Sequence, residues 1–191
     1  MYYKIFAILC MIIFYLTYIY KLISLNKQSI KTNQVGKGNK TQKVIVIEKL
    51  MNLSNVIVII AQVLSVIFVS PCKNVLLVAI SIIFGVLAII FFLLATSTMK
   101  NNWRVGIPEE KTSLVINGIY KWSRNPAFVG FDLLYISNTI LFFNVPLLIC
   151  SLFAIVMLHL QILQEEQHML DVFGKEYEEY KKHTLRYLGR K

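Results

Sequence analysis

The chain has 191 residues, 57% of them hydrophobic and 16% charged, with a formal net charge of +10. Ordinary globular domains are about 45–50% apolar, and here the excess is gathered into five blocks, which excludes a single water-soluble domain. The basic excess does not read as a nucleic-acid footprint: all but Lys4 and Lys73 of the 20 Lys and Arg fall in three polar segments between or after the blocks.

Ile5–Tyr20, extended by Leu22 to Leu25, is the first block. A membrane-crossing helix needs about 20 mostly apolar residues. Only Lys4 precedes the block and no small-residue cleavage site follows, so a retained helix is expected rather than a signal peptide. Ser29–Lys43, SIKTNQVGKGNKTQK, is polar and rich in Gly and Lys, and is expected to form a flexible cytoplasmic loop. Glu48 and Lys49 interrupt the apolar run VIVIEKLMNL, so the second helix is expected to start before its membrane block, Leu53–Ser70. Pro71 ends that helix, and PCKN turns into the third block, Val75–Thr96.

The loop after the third block carries Lys100, Arg104, Lys111, Lys121 and Arg124. Phe128–Phe143 and Val145–Leu163 follow as fourth and fifth blocks, joined by the turn from Asn144 to Pro146 into a short hairpin. The fourth, about 16 residues, spans roughly 24 Å, less than a hydrocarbon core of about 30 Å. The preceding SRNP is therefore expected at or just below the bilayer surface. Gln164 to Leu188 is charged, with Phe173, Tyr177 and Tyr180 at helical spacing. It reads as one or two amphipathic helices on the cytoplasmic face, broken at Gly174.

The expected architecture is an all-α integral membrane protein of about five transmembrane helices, with a helix 4–5 hairpin and a cytoplasmic C-terminal amphipathic helix. Residues 1–99 form a three-helix membrane region with cytoplasmic loop 26–49; residues 100–191 form the motif loop, hairpin and C-terminal helix. Alternation of the basic segments puts the N-terminus outside and the C-terminus in the cytoplasm, with anionic lipid headgroups as partners. Cys10, Cys72 and Cys150 are far apart, so neither a disulfide framework nor a metal site is expected.

Two polar segments meet at the hairpin's cytoplasmic mouth. One brings Arg104, Tyr120 and Arg124; the other brings Glu165, Glu166, Tyr177 and Tyr180. Converging charges and phenols at a membrane surface suit an amphiphilic substrate plus a polar cofactor. Adjacent residues do not share a helix face, so one of the two glutamates is expected to point into the pocket. Arg124 by itself reads first as a lipid-phosphate anchor, and only the pattern around it favours a pocket role. His159 shares a helical face with Glu166 and is expected either to bond across the bundle or to act as a base; His168 is expected in solvent. Asp132 lies inside the fourth block, where an ionisable group is costly and faces inward, as a pocket residue or the partner of a basic side chain.

In order, NGIYKWSRNPAFVG, a hairpin, EE and FGKEYEEYKKH resemble the isoprenylcysteine carboxyl methyltransferase and phospholipid methyltransferase superfamily. That pattern runs G-x-Y-x-x-x-R-H-P-x-Y-x-G, then E-E, then F-G-x-E-Y-x-x-Y. WRVGI, Trp103 to Ile107, resembles the segment preceding the motif in bacterial members, and the resemblance covers about Trp103 to Leu188. It implies an integral-membrane enzyme that transfers a methyl group from S-adenosylmethionine to a lipid-like or isoprenylated acceptor, by carboxyl O-methylation or lipid methylation. It implies that Gly118, Tyr120, Arg124, Asn125 and Pro126 line the cofactor, that Glu165 and Glu166 hold its polar groups, and that Gly174, Tyr177 and Tyr180 close over it. Arg124, with His183 at the place of a second family arginine, is the implied catalytic pair. A planar guanidinium suits a carboxylate, a glutamate suits an ammonium or hydroxyls, and aromatic faces suit a sulfonium.

The chain departs from the pattern at Asn125 (family His), Phe128 (family Tyr) and His183 (family Arg), and the last bears on whether a prenylcysteine carboxylate is the acceptor. Two alternatives stay open: an NADPH-using membrane reductase of the related sterol-reductase architecture, against which the acidic pair speaks, and a non-catalytic membrane protein that retains the fold.

Overall fold

The computed structural model describes residues 1–108 and 112–191. Lys111 lies outside the described residues. Five apolar helices, α1 (Tyr2–Asn26), α2 (Gln42–Phe68), α3 (Val75–Met99), α4 (Pro126–Leu141) and α5 (Val145–Phe173), precede a short polar α6 (Lys175–His183). All but α4 of the five are long and apolar enough to cross a membrane, and α4 is the short apolar helix anticipated from sequence. The chain is a multi-pass, all-α membrane protein.

Local chemistry sets the helix starts. Thr41 accepts from the Val44 N–H, Asn74 from Leu76 and Leu77, and Asn144 from Leu147, each satisfying first-turn donors. Pro126 and Pro146 sit in first turns, where a missing N–H breaks no helical bond.

Exposed Ile, Leu, Val and Phe cover the outward faces of the long helices, which lipid tolerates as well as a protein core does. Helices in lipid associate through small residues and hydroxyls, and the α3–α4 interface follows that rule. A Cβ on Gly130 would lie 3.0 Å from the Ala88 carbonyl oxygen. Ser81 and Ser137 donate to each other's carbonyls at 2.9 and 2.7 Å. An aromatic cluster ties α1 in: Phe14 stacks on Phe92 at 4.3 Å and meets Phe131 edge-on at 4.8 Å. On the other side, α2 packs chiefly on α5.

The two ends of the bundle differ. At the hairpin end, the Cys72 N–H donates to the Leu141 carbonyl at 2.7 Å and Lys4 Nζ to the Ile67 carbonyl at 2.8 Å. At the opposite end, the loop after α1, the segment between α3 and α4, and the C-terminal tail lie together. The Val105 N–H donates to Thr32, the Gln34 N–H to Val105, and the Arg124 N–H to Leu185.

Two expectations are corrected here. Ser29–Lys43 is not a free linker: Thr32 and Gln34 are buried, they pair with Val105, and Lys40 reaches back to Glu48. Gln164–Phe173 is not a separate tail helix either. It continues α5 without a break, because a helix projecting past its apolar stretch needs no change in backbone, only in side chains. The break comes at Gly174, whose φ of +49° leaves the right-handed region and leads into α6.

Candidate functional site

A cavity of about 160 Å³ opens at the end where the three polar segments meet. Tyr18 of α1, Met51 of α2, Phe128 and Phe131 of α4 and Leu158 of α5 form its apolar part, and the amide side chain of Asn55 on α2 also lines it. The segment from Trp103 to Pro108 forms one wall; Arg124, Asn125, Glu165 and Glu166 form another, and Tyr120, Tyr177 and Tyr180 complete the lining.

Glu166 is the hub of the second wall. Arg124 donates to its Oε1 through Nε and Nη2, at 3.1 and 2.8 Å. Arg186 donates to Oε2 through Nε and Nη2, at 3.1 and 3.0 Å. Asn125 Nδ2 adds a bond to Oε1 at 3.2 Å and reaches the Arg186 carbonyl at 3.2 Å. The third guanidinium nitrogen of Arg124 donates to the Thr184 carbonyl at 2.8 Å. Arg124 and Glu166 have side chains 8% and 7% exposed, and a buried charge persists only when it is paired and its hydrogen bonds are met.

This geometry corrects the lipid-anchor reading of Arg124. It also gives every guanidinium nitrogen of Arg124 a protein acceptor, where a free two-pronged grip on a ligand carboxylate was expected. Asn125, in place of the family His, fits the same hub: its amide bridges Glu166 and the tail.

Both glutamates line the cavity, although one was expected to, and they differ in what they hold. Glu165 Oε1 accepts from Gln161 Nε2, one turn earlier on the same helix, at 2.9 Å. Among the described residues no cation pairs with it. In the wall from Trp103 to Pro108, the indole N–H of Trp103 is buried and has no hydrogen-bond partner among the described residues. The cavity thus offers one acid without a cation partner, beside aromatic faces.

The phenols are neutral. Burial is the first cause that pushes Tyr120, Tyr177 and Tyr180 above the ordinary tyrosine value; Tyr180 and Glu165 add to it at Tyr120. Tyr180 spends its O–H on the Tyr120 carbonyl at 2.6 Å, pinning α6 to the motif turn.

Four expected site residues do not line the cavity. Gly118 shapes the turn against Thr98, Pro126 starts α4, and Gly174 ends α5. His183 is exposed and pairs with Glu179 Oε1 at 3.0 Å, one turn back on α6, so the implied catalytic pair with Arg124 is not assembled. His168, expected in solvent, lines the cavity. His159 lies outside it and bonds the Tyr187 phenol at 2.6 Å. Asp132 also lies outside, with Oδ1 buried and unbonded among the described residues.

Sequence reasoning missed Arg186, three residues beyond the position where an arginine was sought. It also missed Glu48 and Lys40, whose carboxylate–ammonium contact of 2.8 Å is buried behind the Trp103–Ile107 wall. The available signal was an ionisable residue within an apolar helix, which normally marks a partnered group.

A model of the isoprenylcysteine carboxyl methyltransferase family matches residues 77–171, from α3 through nearly all of α5. No curated protein matches the chain.

Proposed function

Proceeding from a chain that belongs to the isoprenylcysteine carboxyl methyltransferase family, whose members are membrane methyltransferases, we propose that it transfers a methyl group from S-adenosylmethionine to a lipid-like or isoprenylated acceptor. The observation that carries this reading is the cavity's two-sided chemistry: an unpaired acid and neutral aromatics at one end, and an apolar lining drawn from α2, α4 and α5 at the other.

The residues fit the cofactor. Glu165 suits its ammonium or ribose hydroxyls. The rings of Tyr120, Tyr177 and Tyr180 offer π faces to a cation. When bound, the cofactor supplies an electrophilic methyl group on a sulfonium. The chain's own task is positioning and exclusion of water. Glu166, Arg124 and Arg186 hold the wall rigid, while Met51, Phe131 and Leu158 line the route by which a hydrocarbon-bearing acceptor enters. The three basic segments share the cavity's end of the bundle, so by the positive-inside rule this end is cytoplasmic and the N-terminus lies outside. Anionic lipid headgroups are the partners of those segments.

Titration of detergent-solubilised protein with S-adenosylmethionine tests the reading, with NADPH as the contrasting ligand. Binding of S-adenosylmethionine, and a loss of about 10- to 150-fold on Glu165→Gln at unchanged melting temperature, is the expected result. Preference for NADPH would transfer the chain to the reductase reading, and binding of neither would leave a non-catalytic membrane protein.

A further inference from the structure

A second buried carboxylate, outside the segment that matches the family, stands behind one wall of the same cavity. Glu48 is fully buried, and it is the single acidic residue of α2. Its Oε1 accepts from the Ile107 N–H at 2.8 Å and from Lys40 Nζ at 2.8 Å; its Oε2 accepts from the Gly36 N–H at 2.6 Å and from Lys40 Nζ at 2.9 Å. Lys40, itself 6% exposed, also donates to the Gln34 carbonyl at 2.7 Å. One carboxylate therefore gathers two segments that are remote in sequence: the loop after α1 and the wall that carries Trp103, Gly106 and Ile107.

The wall has no slack against it. Gly106 has a φ of +82°, and a Cβ there would come 2.9 Å from Glu48 Oε1 and 3.1 Å from the Val35 nitrogen. A buried ion pair adds little to stability beyond what apolar residues of the same size supply. What it does add, and an apolar pair lacks, is charge-assisted hydrogen bonding to two particular backbone amides, which fixes where the wall stands.

We propose that Glu48, neutralised by Lys40, is a positioning residue for the cavity: through the Ile107 amide it sets the wall that runs from Trp103 to Pro108. The geometry is independent of the ligand's identity; the consequence for cofactor binding rests on the methyltransferase reading.

The test uses the full chain carrying Lys40→Met and Glu48→Gln together. The pair becomes neutral without leaving a buried unpaired charge, so the melting temperature is expected to stay within a few degrees of wild type. The single glutamine oxygen serves two amides poorly. Hydrogen exchange at Ile107 or Gly36 should accelerate about tenfold or more, and S-adenosylmethionine affinity should weaken about tenfold. Faster exchange with unchanged affinity would overturn the positioning role and leave a structural clasp; weaker affinity with unchanged exchange would overturn the route through the wall. If the double variant does not fold, Glu48→Asp, which keeps the charge but withdraws it by one methylene, is read in the same two ways. A wild-type protein that binds no S-adenosylmethionine would defeat the functional reading, and the exchange arm would then decide the clasp by itself.

Discussion

The cavity is held by two buried glutamates, and the contrast between them is instructive. Glu166 on α5 is gripped by two guanidinium forks and an amide, all from side chains. Glu48 on α2 is gripped by one ammonium and two backbone N–H groups. Guanidinium is planar and matches a carboxylate in two-point fashion, so the Glu166 corner specifies its partners by residue type. An ammonium is a point charge, and backbone amides carry no side-chain signature, so the Glu48 corner specifies loop position instead. One corner leaves a motif in the sequence, and the other leaves only a carboxylate where an apolar residue would be expected.

The largest expected effect comes from emptying the Glu166 corner. Glu166→Ala strands the buried Arg124 charge and should cost about 3–5 kcal/mol, seen as a collapse of the melting temperature or of folded yield in detergent. A melting temperature near that of wild type would mean that water replaces the carboxylate and that the hub is not rigid.

Arg124→Lys is the next step down. Lysine keeps the charge but cannot serve both Glu166 and the Thr184 carbonyl, so a loss of roughly 1.5–3 kcal/mol is expected. Protease sensitivity of the C-terminal tail should rise with it. A lipid anchor would tolerate the same change, so an unaltered tail and melting temperature would reinstate that reading.

Gly106→Ala probes the other corner. The side chain meets both an unfavourable φ and the Glu48 oxygen, for a cost of at least about 1 kcal/mol. Thermal melting beside cofactor titration should show affinity falling by more than stability alone accounts for.

His183→Ala is expected to do least. An exposed i,i+4 contact with Glu179 adds little to stability, and on the methyltransferase reading turnover should continue at the wild-type rate. Loss of turnover at full stability would restore His183 to the reaction and require the tail to rearrange on binding.

Much of the fold was legible without coordinates. Five apolar blocks, the hairpin between Leu141 and Val145, the break at Gly174 and the meeting of the motif turn with the glutamate pair all follow from local composition. Each apolar block contributes its transfer free energy independently, and in lipid a backbone must satisfy its own hydrogen bonds as helix. The end of the bundle that carries the candidate cavity was equally legible, because basic and aromatic residues concentrate at the segment ends.

What the tertiary structure alone decided is who holds whom. Arg124 finds Glu166 across 42 residues and Ile107 finds Glu48 across 59. Such pairings depend on how helices rotate and slide against one another. That is fixed by close approaches such as Gly130 on Ala88, not by any repeat along the chain. Glu165 and Glu166 are identical in type and adjacent in sequence; only the packing of α5 against the tail turned one into a buried hub and left the other open to a ligand.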